Sequence, residues 1–141
     1  MLGPFAYKSI PPKTHLSQNE RTIWERFIEK NPERFDLATY DVELGKPRGF
    51  DPERPEPYAR HHAYLGGYKI DVLGEKEGVK TIIEIKRQAT TKAIGEVDLY
   101  EFLFMLINEN APPPKLMILT DEEMPHMREW CEKWDVELVV V

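Results

Sequence analysis

Two stretches decide the fold: Tyr68-Lys69-Ile70-Asp71-Val72-Leu73 and Val79-Lys80-Thr81-Ile82-Ile83-Glu84-Ile85-Lys86-Arg87, joined by Gly74-Glu75-Lys76-Glu77-Gly78. Runs rich in β-branched residues on either side of a glycine-bounded turn predict an antiparallel hairpin. Side chains alternate faces along a strand, so Glu84 and Lys86 share one face while Ile83 and Ile85 point to the other. The turn sets the pairing. A two-residue turn at Glu77-Gly78 places Asp71 directly opposite Glu84, with Cβ atoms about 4.5–5.5 Å apart. A four-residue loop over 75–78 makes the two carboxylates diagonal neighbours on one face. A three-residue loop puts them on opposite faces, and an internal bulge undoes any of these registers.

Outward from the hairpin, residues 1–16 hold Pro4, Pro11 and Pro12 and no hydrophobic period, so they read as an extended arm. Ser17 and Glu20 fit a capping box, Ile23, Trp24, Phe27 and Ile28 repeat at helical spacing, and Asn31-Pro32 stops that helix. Phe35 to Leu44 reads as a strand. On the far side, Thr90 or Thr91 caps a helix to about Asn108 that is apolar on most sides and therefore expected to be largely buried. Pro112-Pro113-Pro114 breaks the chain, Lys115 to Leu119 is a short buried strand, Asp121 caps a helix to about Trp134, and Val136 to Val141 is a last strand. The expected fold is α/β, a mixed central sheet flanked by helices in the order αβββαβαβ, with residues 17–141 forming a single domain.

Between the first strand and the hairpin, residues 45–66 carry Pro47, Pro52, Pro55 and Pro57 together with Lys46, Arg48, Arg54, Arg60, His61 and His62. A structureless loop this long inside a small domain is either functional or a solvated insertion.

The chain has 141 residues, 41% hydrophobic and 31% charged, enough to bury one core and too apolar for a disordered polymer. No apolar run reaches the roughly 18–20 residues of a membrane span, and the first residues lack the pattern of a secretory signal. A lone Cys131 supplies neither an internal disulfide nor a cysteine metal cage, and its setting between Trp130 and Trp134 suits a core thiol. Cytoplasmic placement follows as the expectation. The net charge of −6 excludes nucleic-acid binding by bulk positive charge. The charge is uneven: residues 1–70 carry 11 Lys/Arg against 10 Asp/Glu, and residues 71–141 carry 8 against 15. A local basic strip beside an acidic site remains open.

Two carboxylates held as close as Asp71 and Glu84 repel unless something neutralises them. Lys86 on the same face is one neutraliser, and the hairpin then carries an ordinary cross-strand ion-pair cluster. A divalent cation is the other, since hard oxygen ligands suit Mg²⁺ or Mn²⁺. A cation there keeps several waters, one of which can attack phosphorus while Lys86 orients or deprotonates it or stabilises developing charge.

Asp71, then Glu84-Ile85-Lys86 on the next strand of a hairpin, then helix, strand, helix and strand, resembles the PD-(D/E)xK nuclease superfamily over roughly residues 17–120. The likeness is nearest to its small archaeal and bacterial DNA-repair endonucleases and Holliday junction resolvases. The resemblance implies a restriction-endonuclease-like core and a Mg²⁺-dependent deoxyribonuclease, with Mn²⁺ able to substitute, acting in DNA repair, recombination or restriction. It implies Asp71 and Glu84 as metal ligands with the Ile85 main-chain carbonyl as a third, Lys86 assisting the attacking water, DNA as partner and a homodimer as the assembly. Several branches carry Gln-x-x-x-Tyr on the following helix; here Glu96 and Tyr100 stand at those places, on one helical face with Lys92. The leading Pro of the motif is Ile70 in this chain.

Glu20 resembles an accessory acidic ligand of some branches, although its capping-box position accounts for it equally well, and Glu25 is a weaker candidate for the same role. Arg87 and Gln88, just past Lys86, are placed to reach a phosphate or simply to end the strand. Arg48, Arg54, Arg60, Arg87 and Lys92 are the candidate DNA-binding cations. His61 and His62 read as loop residues, having no spaced partner. The competing reading is a nuclease-fold binding or scaffold protein in which Lys86 balances the acidic pair and no turnover occurs.

Overall fold

A computed structural model describes residues 1–44 and 67–141. The Pro/Arg-rich loop, with Lys46, Arg48, Arg54, Arg60, His61 and His62, lies outside the described residues. The elements are β1 (Leu2–Ala6), α1 (Gln18–Lys30), β2 (Leu37–Glu43), β3 (Lys69–Lys76), β4 (Val79–Lys86), α2 (Thr91–Ile107), β5 (Lys115–Thr120), α3 (Met127–Lys133) and β6 (Val136–Val140). They build one six-stranded sheet in the order β1-β2-β3-β4-β5-β6. Strands β1 to β4 pair antiparallel, whereas β4, β5 and β6 run parallel. The parallel half requires crossovers, and α2 and α3 supply them. This is the α/β mixed sheet expected, with one strand added.

That strand is β1, so the order is βαβββαβαβ rather than αβββαβαβ. Its five residues lie at the sheet edge against β2, with a register shift between Leu2 and Phe5. Pro4 cannot donate to a ladder and the strand is mostly exposed, so it shows neither alternation nor a hydrophobic run. The rest of the arm is also tied down. Tyr7 donates its hydroxyl to the Asn31 carbonyl at 2.8 Å, Arg21 Nη1 donates to the Pro11 carbonyl at 2.9 Å, and Leu16 is buried.

The α1 capping box is formed as the sequence predicts: the Ser17 N–H donates to Glu20 Oε2 at 2.7 Å and the Glu20 N–H to Ser17 Oγ at 3.3 Å. The helix drives Ile23, Trp24 and Phe27 into one core, where they meet Tyr40, Val72, Ile83, Ile85, Met117 and Leu119. The opposite sheet face forms a second core with α2 and α3, including Ile82, Ala93, Ile94, Val97, Phe104, Ile118 and Cys131.

Two helices differ from expectation. Helix α2 is buried along Ala93, Ile94, Val97, Tyr100 and Phe104 but exposes Phe102, Leu106 and Ile107, because only one side of it meets the sheet. Helix α3 starts at Met127 with His126 at its N-cap in the left-handed region, φ 66°, rather than at Asp121. Pro125 lacks an N–H for a continuing helix, and Thr120 Oγ1 instead accepts the Glu122 N–H in a local turn at 3.3 Å.

Candidate active site

The hairpin closes through the two-residue turn. Glu77 and Gly78 both have positive φ, 50° and 81°, the primed geometry that matches strand twist. Pairing runs Lys76 with Val79, Glu75 with Lys80, Gly74 with Thr81, Leu73 with Ile82 and Val72 with Ile83. The next step of that register sets Asp71 opposite Glu84. The ladder ends there, and the Ile85 N–H donates instead to Asp71 Oδ2 at 2.9 Å. The Asp71 side chain thus takes over the hydrogen bond that the parting strands leave unmade.

A second break stands beside it. Tyr40 pairs with Val72, and Val42 pairs with Ile70. Tyr40 and Val72 lie in the core under α1, whereas Val42 and Ile70 lie in the core under α2. Both strands therefore swap faces across Asp41 and Asp71. Asp41 makes this possible with φ 51°, a left-handed conformation that costs a non-glycine residue about 1–2 kcal/mol.

Asp71 and Glu84 are both buried, 7% and 3% exposed. Lys86 Nζ is 3.1 Å from Glu84 Oε1 and 3.1 Å from Glu96 Oε2. Glu96 lies on α2 one turn before Tyr100, so β4 and α2 close around this cation. The other oxygen, Glu84 Oε2, is buried and receives no hydrogen bond from the described residues. Burial first, then the charge of Asp71 and contact with Glu96, push the Glu84 carboxyl far above the ordinary carboxylate range. Burial opposes ionisation of Glu96 as well, but its contacts with Glu84 and Lys86 hold it below that range. Lys86 loses some preference for charge to burial and regains more from Glu84 and Glu96, so it stays a cation. Tyr100 is buried and its hydroxyl is pushed up by burial and by Glu84, Glu96 and Asp71, which puts it within the field of the same carboxylates.

Asp71, Glu84, Lys86, Glu96 and Tyr100 are thus brought together. Other candidates have separate partners. Glu20 is committed to its capping box, Glu25 pairs with Arg21 at 3.4 Å, and Gln88 Nε2 donates to Glu122 at 2.8 Å. Arg87 and Lys92 are exposed near the end of β4 and the start of α2, and Lys92 adds to the field that lowers Glu96.

Sequence reasoning missed His15 and Asp41. His15 Nε2 is 2.6 Å from Asp71 Oδ1, and its Nδ1 meets Asp41 Oδ1. The hydrogen bond to Asp71 is the main cause that raises the His15 pKa. No local pattern signals this contact, because the partners lie 26 and 56 residues away along the chain.

Among the described residues, no three His, Cys, Asp or Glu side chains are arranged as a ready cation cage. The donor set nevertheless fits Mg²⁺, which binds through one or two carboxylates and keeps several waters. Glu84 Oε2, buried beside Asp71 and unpartnered among the described residues, is the oxygen such an ion would satisfy.

No family model and no curated protein matches the sequence. Among solved structures, the fold is similar to a repair endonuclease from Pyrococcus abyssi, with a TM-score of 0.54 and 17% identity over 93% of this chain and 49% of that one. It is also similar to EndoMS in a complex with double-stranded DNA, with a TM-score of 0.50 and 12% identity over 94% of this chain and 48% of that one. The chain spans about half the length of either protein. Across nearly all of its own length, then, this chain shares its mixed α/β fold with both of these proteins.

Proposed function

We propose that this protein is a divalent-metal-dependent nuclease that hydrolyses DNA phosphodiester bonds in repair, recombination or restriction. The observation that carries the reading is Glu84: a carboxylate 3% exposed, with one oxygen unpartnered among the described residues, placed beside Asp71 and joined to Lys86. Burying two carboxylates at one spot opposes folding, and such costs concentrate at functional sites. The likeness to a repair endonuclease and to EndoMS supports a phosphodiester substrate in DNA.

In this reading Asp71, Glu84 and the Ile85 main-chain carbonyl hold Mg²⁺, with Mn²⁺ as a substitute. The ion would polarise the scissile phosphate and lower the pKa of a bound water. Asp71 is held by the Ile85 N–H, so its carboxylate is pre-oriented. Lys86 holds its proton between Glu84 and Glu96, within reach of the same space. There it orients the attacking water and stabilises charge on the phosphoryl oxygens. Glu96 balances Lys86, and Arg87 and Lys92 offer exposed cations for the DNA backbone.

The scaffold reading draws on one observation: Lys86 bridges Glu84 and Glu96. Labelled single-stranded, duplex, flap, mismatched and four-way DNAs, incubated with Mg²⁺, Mn²⁺ or EDTA, separate the two. Cutting that needs metal and vanishes in Glu84→Ala establishes the nuclease. No cutting on any DNA, with no metal-induced rise in thermal stability, establishes the scaffold.

A further inference from the structure

The segment before α1 reaches the site through one residue. Pro11 is anchored by Arg21, Leu16 is buried and Ser17 caps α1, so His15 is presented from a fixed stretch of chain. Asp41 grips it twice: the His15 main-chain N–H lies 3.2 Å from each Asp41 oxygen, and Nδ1 meets Oδ1. The other ring nitrogen is 2.6 Å from Asp71 Oδ1. A carboxylate only accepts, so both ring nitrogens donate. With Ile85 N–H on Oδ2 and His15 on Oδ1, each oxygen of Asp71 is held by its own hydrogen bond.

We propose that His15 is a positioning residue, which Asp41 holds in place and which locks the Asp71 carboxylate in its cation-binding orientation. The proposal rests on the reading of Asp71 as a metal ligand. It gives Asp41 a reason for its left-handed backbone: the face swap there turns its carboxylate toward His15 instead of leaving it on a regular ladder. Groups that orient a metal ligand from behind are worth about 10–100-fold in metal affinity or activity. Each carboxylate oxygen has two lone pairs, so a hydrogen bond from His15 leaves Oδ1 able to take a cation.

The test is calorimetric titration of the full chain with Mn²⁺ in the absence of DNA. His15→Ala is expected to weaken Mn²⁺ binding about tenfold or more, and Asp41→Asn to weaken it in the same direction. In His15→Gln the side-chain amide can still donate to Asp71, so binding recovers most of the loss; a merely structural role would show no such rescue. Unchanged or tighter Mn²⁺ binding in both His15→Ala and His15→Gln overturns the inference. Parent protein whose Mn²⁺ binding ignores Asp71→Asn fails the site assignment itself, and the inference with it. A metal-free readout stands beside these: the His15 Nε2 nitrogen resonance shifts on Asp71→Asn, and an unmoved resonance overturns the contact.

Discussion

Asp71 accepts the main-chain N–H of Ile85 at 2.9 Å, so the side chain of one strand completes the hydrogen bonding of its neighbour where the ladder ends. This bond separates two roles that Asp71 combines. Asp71→Asn keeps an acceptor for Ile85 and loses the negative charge; cleavage is expected to vanish while the fold persists. Asp71→Ala leaves a buried N–H unpaired, at a cost of about 1–3 kcal/mol, although it also relieves repulsion with Glu84. Nuclease assays beside urea unfolding of both variants check this. Full activity in Asp71→Asn refutes the role as ligand.

Glu84 makes stability pH-dependent in EDTA. Its native carboxyl is raised far above the ordinary 4.5 by burial and by Asp71, whereas the unfolded chain ionises it near that ordinary value. The native state then holds a proton the unfolded state has released. The stability this group contributes is complete below pH 4.5 and is lost as pH rises toward the native value. Glu84→Gln removes the ionisation, so the variant is expected to be the more stable protein at neutral pH, with a flatter stability–pH curve above pH 5. Thermal unfolding of both proteins across pH 5–9 is the measurement, and parallel curves contradict the assignment.

Much of this site was legible in the sequence because it depends on local features. The glycine-bounded stretch 74–78 announces a turn without fixing its length, and once Glu77-Gly78 closes it as a two-residue turn, a strand period of two carries Asp71 to Glu84 and Lys86 to the α2 face. Ser17 and Glu20 announce the start of α1 in the same local way. What stayed hidden depends on the third dimension. Strand β1 is defined by pairing with β2 and not by its own pattern. His15 sits in a proline-rich stretch without a period, and Asp41 interrupts a strand whose alternation holds only on either side of it. The face swap at Asp41 and Asp71 moves residues two apart to opposite cores, which a strict alternation rule forbids.

Lys86 bridges two carboxylates, so its removal has two consequences. A fixed cation that stabilises charge on the phosphoryl oxygens contributes about 10²–10³-fold to the rate, and Lys86→Met is expected to lower turnover by that order. Mn²⁺ affinity should fall little or rise, since a cation competing for Glu84 is gone. Equal losses in turnover and in metal affinity would recast Lys86 as a structural neutraliser. Single-turnover kinetics together with Mn²⁺ titration distinguish the two.

The turn that sets the register offers a test that needs no activity. Gly78 has φ 81°, and none of the described residues lies within 4 Å of the position a Cβ would take. The cost of Gly78→Ala is therefore backbone strain alone, about 1–2 kcal/mol. Gly74 is the reverse case: a Cβ there would sit 2.8 Å from the Phe35 ring, which contacts Tyr7 and Phe27, so the ring or the strand must shift. Overpacking of this kind costs about 1–3 kcal/mol and shifts the backbone. Because Gly74 pairs with Thr81 three residues along from Asp71 and Glu84, Gly74→Ala is expected to lower metal affinity as well as stability. Gly78→Ala should lower stability and leave metal affinity unchanged. Urea midpoints and Mn²⁺ titrations on the two variants decide this, and equal effects on metal affinity would show that the site does not depend on how β3 is seated over Phe35.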